Sequence, residues 1–174
     1  GKHVVVEKPA GLIPGEVVAM TEVAKETGLF FMEGFMYRCH PQIERLVELI
    51  GGGEIGKVQH IEASFGFAST YNPTSRLDRP DLAGGAILDV GVYPVSFARL
   101  VAGAAQGLPF AEPLEIQGIG SLGPLGVDET AYALLKFDQD ITASCATSIR
   151  RAMDNSATVI GSKGRVHLPN PWIP

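Results

Sequence analysis

The feature that most constrains the fold is a change of hydrophobic pattern along the chain, from a strand–helix–strand unit to a series of alternating strands. Residues 3–7 form a short β-branched run that a Lys-Pro pair ends, because proline forces extended backbone on the residue before it. Residues 14–27 carry apolar side chains at helical spacing, and Gly28 supplies a helix stop before a second apolar run at 29–33. This order predicts the end of a parallel α/β domain over residues 1–34, with a buried first strand.

Beyond that point the pattern predicts an α+β domain, residues 35–174. Pro41 opens a helix that a run of three glycines ends, and residues 57–68 alternate apolar and polar side chains, as a half-buried strand does. A further helix is predicted over residues 84–101. The remaining segments predict short strands in two hairpins, 129–137 with 141–149 and 157–160 with 165–168. We therefore expect a large, mostly antiparallel open sheet with helices on one face.

Charge and cysteine content argue against several classes of function. The 14 Lys and Arg residues against 19 Asp and Glu residues give a net charge of -5 without a basic stripe, so we expect neither nucleic acid nor a membrane as a partner. Cys39 and Cys145 have neither disulfide-framework nor zinc spacing, so we expect a reducing compartment, the cytoplasm. The histidines at 3, 60 and 167 have no carboxylate or thiol at ligand spacing, and no metal site is predicted.

Three segments carry the chemistry: GKHVVVEKP at 1–9, EGFMYRCHPQ at 33–42 and GGAILDVGVYP at 84–94. In this order and separation they resemble the glucose-fructose oxidoreductase, inositol dehydrogenase and rhizopine catabolism family. The resemblance covers nearly the whole chain, up to GSKGRVHLPNPW near its end. It implies a Rossmann-type dinucleotide-binding domain followed by an α+β substrate domain. It also implies an NAD or NADP cofactor, a sugar-like substrate, and a homodimer or higher homo-oligomer through the open sheet.

The chemistry of these residues can also be argued directly. Lys8 follows a strand that is predicted to be parallel, and open α/β sheets bind ligands at the carboxyl ends of such strands. Asp89 and Tyr93 are four residues apart on a predicted helix, so both side chains leave one face. Tyrosine is a poor base because its unperturbed pKa is about 10. A neighbouring Lys8 ammonium would favour the phenolate and lower that pKa, so the two make a plausible acid/base pair.

The resemblance implies further roles. Tyr93 transfers the proton, Asp89 orients the substrate hydroxyls, and Lys8 contacts the nicotinamide ribose and the reacting oxygen. Tyr rather than His at 93 is typical of the branch with glucose-fructose oxidoreductase, xylose dehydrogenase and the dihydrodiol dehydrogenases. The cofactor contacts implied are Glu7, Lys8, Pro9 and Arg38. The substrate contacts suggested are Tyr37, His40, Arg76 and Arg79.

Several alternatives stay open. His40 is as well explained by packing against the helix start at Pro41 as by a substrate contact. For Arg76 and Arg79 the alternative to a substrate contact is a solvated charge on a surface loop. The residues include no GxGxxG turn for the pyrophosphate, and the family continues beyond a segment such as PNPWIP. We therefore expect part of a longer enzyme, cut in its Rossmann domain and at its C-terminus, and inactive alone. The alternative is a non-catalytic sugar-binding or dimerisation module.

Overall fold

A computed structural model describes residues 1–173, and the chain divides into two compact units, of which the first is Gly1–Met36. Sequence patterns placed the domain boundary after residue 34. The first unit contains strand β1 (Val4–Glu7), helix α1 (Pro14–Thr27) and strand β2 (Phe31–Gly34). The two strands are parallel, with Val4 opposite Phe31 and Glu7 opposite Gly34. Gly28 ends α1 in the left-handed conformation (φ 65°), as the helix stop predicted.

The prediction that β1 is buried is wrong for this chain. Val5 is 63% exposed, and only Val6 in the strand reaches intermediate burial. The unit offers β1 one neighbouring strand and one helix, and α1 itself buries no residue. Residues 1–36 therefore contain too little packed apolar surface to cover the strand.

The second unit begins at Tyr37 and is built from two α-helices and six strands. Helix α2 (Pro41–Gly51) precedes strand β3 (Val58–Gly66). A π-helical turn (Ile87–Gly91) then runs directly into helix α3 (Val92–Ala105). The strands that follow are β4 (Glu115–Leu122), β5 (Asp128–Lys136), β6 (Thr142–Ser148), β7 (Ala157–Gly161) and β8 (Arg165–Leu168). Short 3-10 turns lie at Met36–Cys39, Arg76–Asp78, Pro80–Leu82 and Asp138–Asp140.

The six strands form one sheet in the order β4-β5-β6-β3-β7-β8. All neighbours are antiparallel except β3 and β6, which run parallel from His60 opposite Thr142 to Gly66 opposite Ser148. Both predicted hairpins are present, β5 with β6 and β7 with β8. The expected α+β class with a mostly antiparallel sheet is thereby confirmed.

One face of the sheet packs against α3, and the core lies between them. Ile61 on β3 and Ala143 on β6 are buried on this side of the core, as are Phe97 and Val101 on α3. Each large apolar side chain buried here stabilises the fold by about 1.5–3 kcal/mol. The other face carries Glu62 and other exposed side chains, as the alternation along residues 57–68 predicted.

The helical segment Pro80–Ala105, which contains α3, has a strongly apolar composition. Among the residues that the structure describes, it is the one helix long and apolar enough to meet the length and composition expected of a membrane span. Two-thirds of its apolar window (67%) is buried inside the domain. The apolar character of this segment is therefore accounted for by its place in the core.

Candidate functional site

In the first unit the candidate residues lie where the two parallel strands end. Glu7 is the last residue of β1, and the peptide bond between Lys8 and Pro9 is cis. The Glu33 carboxylate on β2 accepts a hydrogen bond from the Ala10 backbone N–H (2.8 Å). Lys8 is half-buried at this edge, the edge at which open α/β sheets bind ligands.

In the second unit the helix that carries Asp89 and Tyr93 begins in an unexpected way. The sequence predicted one regular α-helix over 84–101, but Asp89 lies in a π-helical turn and Tyr93 in the first turn of α3. Asp89 and Tyr93 therefore share one continuous helical segment, of which only the part from Val92 onward is a regular α-helix. A π-turn inserts an extra residue into the helical repeat, and such turns occur frequently at functional sites.

The Asp128 carboxylate from β5 lies at the start of this helix and accepts the Ile87 backbone N–H (2.7 Å). Burial raises the pKa of Asp128, although this hydrogen bond acts in the opposite direction. Gly85 has a φ of +112°, and a Cβ there would lie 2.3 Å from an Asp128 oxygen. A Cβ on Gly84 would lie 2.6 Å from the Leu77 carbonyl oxygen. The two glycines of the third motif thus let the helix start pack between a loop and a strand.

Tyr93 is only 5% exposed and sits in a cluster of aromatic rings. Its ring centroid lies 5.2 Å from that of Phe65, 5.9 Å from that of Tyr37 and 6.0 Å from that of Trp172. Trp172 stacks on Phe65 with an interplanar angle of 11°, and its Nε1–H donates to the Ser64 carbonyl oxygen (2.7 Å). Tilted and edge-on contacts of this kind hold a ring in one orientation.

Tyr37 is buried beside Tyr93. Its hydroxyl is hydrogen-bonded to the Ser96 hydroxyl (2.9 Å), and burial raises the pKa of the Tyr37 phenol. Tyr37 therefore stays protonated near neutral pH. It forms part of the packing around Tyr93.

The structure also brings Asp89 together with Arg76. The Arg76 guanidinium donates to Asp89 Oδ1 at 2.8 Å, from the 3-10 turn Arg76–Asp78. The Asp89 side chain is 12% exposed and that of Arg76 is 57% exposed. A half-exposed cation therefore lies over a carboxylate that is largely shielded from water, four residues before Tyr93 in the chain.

Other predicted contacts have local explanations. Arg79 pairs with the Asp81 carboxylate (Nε to Oδ1, 2.9 Å), and the two residues lie in a surface turn. His40 caps α2, since its Nδ1 accepts the Gln42 backbone N–H (3.3 Å). Arg38 is exposed. Among residues 1–173 no group of three or more His, Cys, Asp and Glu side chains is placed to hold a metal ion.

Several residues that frame the site were not predicted from the sequence. Trp172 is distant in sequence from the residues that it touches, and although it ends the GSKGRVHLPNPW segment, no role was assigned to it. The same holds for Asp128 and for Arg150, which pairs with Asp78 and Glu129. The one sequence signal for this cluster was Asp78. It is a carboxylate in the segment RLDRPDLAGG, which runs into the GGAILDVGVYP segment.

Comparisons with known proteins identify the family of this chain. The family model described as the GFO/IDH/MocA C-terminal domain matches residues 43–167. The chain is 36% identical over 175 residues to trans-1,2-dihydrobenzene-1,2-diol dehydrogenase of Homo sapiens, and 34% identical over 174 residues to the protein of that name from Mus musculus. Each alignment covers 100% of this chain and 50% of the relative. The chain thus spans about half the length of these curated relatives.

Solved structures of two oxidoreductases also match this chain over almost its whole length. Aldose-aldose oxidoreductase from Caulobacter crescentus, complexed with glycerol, matches with a TM-score of 0.83 and 26% identity, over 99% of this chain and 50% of that one. KijD10, a 3-ketoreductase from Actinomadura kijaniata in complex with NADP and TDP-benzene, matches with a TM-score of 0.82 and 29% identity, over 100% and 51%. Both similarities extend over both units of the chain.

Proposed function

The chain belongs to the GFO/IDH/MocA family of oxidoreductases, and from this premise we propose that the whole protein transfers a hydride between NAD or NADP and a sugar, polyol or cyclic diol. The observation that carries the proposal is the placing of Tyr93. Its phenol is held by three aromatic neighbours at the start of the helix that also carries Asp89. A proton-transfer group must be held in a fixed position beside the reacting oxygen, and ring contacts that fix the orientation of Tyr93 support this role.

In the proposed reaction, Tyr93 exchanges a proton with the substrate hydroxyl or carbonyl oxygen. A phenol with an ordinary pKa of about 10 needs help to act as a base near neutral pH. A cation near the phenol would favour the phenolate and lower that pKa. The bound nicotinamide supplies or accepts the hydride, and the residues of this chain hold the substrate and move its proton.

Asp89 and Arg76 are assigned to substrate orientation. A carboxylate oxygen accepts hydrogen bonds from substrate hydroxyls, and the guanidinium contact at 2.8 Å fixes the other side of the group. Vicinal hydroxyls of a sugar, a polyol or a cyclic diol present such donors in pairs. Phe65 is only partly buried and stacks on the buried Trp172, and its ring favours the apolar face of a sugar or diol ring.

Residues of the first unit fit a nicotinamide cofactor by their chemistry. Lys8 offers an ammonium at the carboxyl end of a parallel sheet, and Glu7 and Pro9 flank it. Gly34 lies at the end of the neighbouring strand, where a Cβ would lie 3.2 Å from the Val6 carbonyl oxygen. We propose that these residues line the nicotinamide end of the cofactor site.

A panel assay of the whole protein tests this function. Trans-1,2-dihydrobenzene-1,2-diol, D-xylose, D-glucose and myo-inositol would each be offered with NAD and with NADP, and formation of reduced nicotinamide would be followed. We expect turnover of at least one of them, lowered about 10²-fold or more by Asp89→Asn and unchanged by Asp138→Asn in an exposed hairpin turn. Equal activity of the two variants would refute the assignment of Asp89.

We further propose that the sheet face opposite α3 mediates self-association of the whole protein. Ile119 and Leu134 are exposed on neighbouring strands of that face, and exposed apolar patches mark interaction surfaces. Light scattering should report a dimer or larger oligomer, and Leu134→Lys should shift it towards the monomer. A wild-type monomer at micromolar concentration would contradict this proposal.

We also propose that the protein works in a reducing compartment, the cytoplasm. Cys39 and Cys145 are both free, and secreted proteins of this size commonly use cysteines in disulfides. Fractionation of cells that express the tagged whole protein tests this location. Recovery in an oxidising compartment would contradict it.

A further inference from the structure

A part-buried polar cluster centred on Arg150 holds the loop beside the candidate site. Arg150 Nε donates to Glu129 Oε1 (2.9 Å), and Nη1 donates to the Ser69 hydroxyl (2.6 Å). Its Nη2 donates to the Asp78 carboxylate. The guanidinium therefore joins the ends of β5 and β6 to the loop that follows β3. We call Arg150, Asp78, Glu129 and Ser69 the clasp.

The clasp is well satisfied in its hydrogen bonds. The second Asp78 oxygen accepts the Asn72 backbone N–H (3.1 Å), so both carboxylate oxygens of Asp78 have a donor. Asp78 is almost completely buried, and the Arg150 side chain is 15% exposed. A buried carboxylate without its cation is costly, because neither water nor another charge replaces the lost partner. Removal of Arg150 should therefore release the loop from this position.

The loop released in that way is the one that carries Arg76. Asp78 and Arg76 belong to the same 3-10 turn, Arg76–Asp78. This turn is seated directly on the start of the helix, since Leu77 accepts the Gly85 backbone N–H (2.9 Å). From the turn, the Arg76 guanidinium reaches Asp89. A continuous path of contacts thus leads from Arg150 through Asp78 and Arg76 to Asp89.

We propose that Arg150 is a positioning residue for the reaction, which through Asp78 holds the turn that sets Arg76 against Asp89. The inference rests on the proposed function, because it matters for catalysis only if Asp89 orients the substrate. Arg150 itself does not touch the substrate in this account. Its role is to keep one arrangement of the turn, and with it one orientation of the Asp89 carboxylate.

The matched control is the neighbouring residue, Arg151, which is exposed. The variants Arg150→Ala and Arg151→Ala remove the same side chain one position apart. The first readout needs no activity: cleavage by trypsin at the Arg76–Leu77 bond, followed by mass spectrometry under native conditions. We expect cleavage of Arg150→Ala about tenfold faster or more, because local opening exposes the turn, while Arg151→Ala matches the wild type.

The second readout is the NMR shift of the Asp89 backbone amide. We expect it to move in Arg150→Ala and to stay in place in Arg151→Ala. If Arg150→Ala does not fold, Asp78→Asn serves in its place, because it keeps the shape of the side chain and removes the charge that pairs with Arg150. Wild-type cleavage and an unmoved Asp89 amide in the folded variant would overturn the proposal.

The third readout uses the whole protein with trans-1,2-dihydrobenzene-1,2-diol and NADP, or whichever pair in the panel turns over. A misplaced orienting group should lower kcat/KM for the substrate by about 10²-fold while the KM for the cofactor stays constant. Unchanged kcat/KM in an active enzyme would overturn the catalytic part of the proposal. If the wild type turns over no probe, the proposed function fails, and the clasp is judged by proteolysis and NMR alone.

Discussion

Replacement of Trp172 by alanine gives the most quantitative test of the aromatic cluster. Trp172 is 1% exposed, is the single tryptophan of the chain, and contacts the rings of Tyr37, Phe65, Tyr93 and Phe97. Truncation of a fully buried Trp to Ala costs about 3–5 kcal/mol, because the removed contacts and the cavity both count. For a domain of this size that corresponds to a fall in Tm of ~6–20 °C.

Two further variants divide this cost into its parts. Trp172→Phe keeps most of the apolar body but leaves the Ser64 carbonyl oxygen without the indole donor, a loss of about 1–3 kcal/mol. Ile173→Ala is the matched control, since Ile173 is the next residue and is 63% exposed, and its effect should stay within about 0.5 kcal/mol. The free energy of unfolding would be measured by urea denaturation followed by circular dichroism. A Trp172→Ala effect as small as that of Ile173→Ala would refute the packing assigned to this residue.

Three other predictions concern single positions. Gly85→Ala should destabilise the fold by about 1–3 kcal/mol, because Gly85 has a positive φ and a Cβ there would meet Asp128. Gly51→Ala, with open space around it, should stabilise the fold by about 0.4–1 kcal/mol. Both effects would be read from urea midpoints, and equal effects would contradict this prediction. Burial raises the pKa of the Cys145 thiol to about 12. A thiol reagent at mildly alkaline pH should therefore label Cys39 alone until denaturant is added. Two labelled thiols in the native chain would contradict this. Because burial raises the pKa of Asp128 in the folded state, its stabilising contribution is present below the unfolded value of about 3.9 and is lost as the pH rises through the folded pKa. Asp128→Asn should remove that part of the pH dependence of the unfolding free energy, and an unchanged profile would count against it.

The sequence was sufficient to predict most of the fold because the signals involved are local. Helix α1 begins at a proline and ends at Gly28, and both hairpins have short polar turns between alternating strands. The π-turn at Ile87–Gly91 was not predicted, and its first residue is hydrogen-bonded to Asp128, on a strand that is distant in sequence. Burial of β1 was predicted wrongly, since an apolar run indicates which side chains favour burial and not which elements are present to cover them.

The candidate site was only partly predictable for a related reason. Motif spacing predicted that Asp89 and Tyr93 share a helix, whereas Arg76 was suggested only as a substrate contact and its pairing with Asp89 was not predicted. The aromatic neighbours of Tyr93 come from three distant segments, at 37, 65 and 172, and Arg150 meets Asp78 across 72 residues. Contacts over such separations follow from sheet order, which composition and periodicity do not specify.

The measurement that tests the account most directly is the turnover of Tyr93→Phe in the whole protein. Removal of the phenol oxygen leaves the ring in its aromatic cluster and takes away only the proposed proton-transfer group. Tyr132→Phe is the control, because Tyr132 is exposed on the sheet face opposite α3. We predict that Tyr93→Phe lowers kcat by about 10²–10⁴-fold while binding of the cofactor is retained, and that Tyr132→Phe keeps wild-type turnover. Wild-type turnover by Tyr93→Phe on a substrate that the protein accepts would contradict the account.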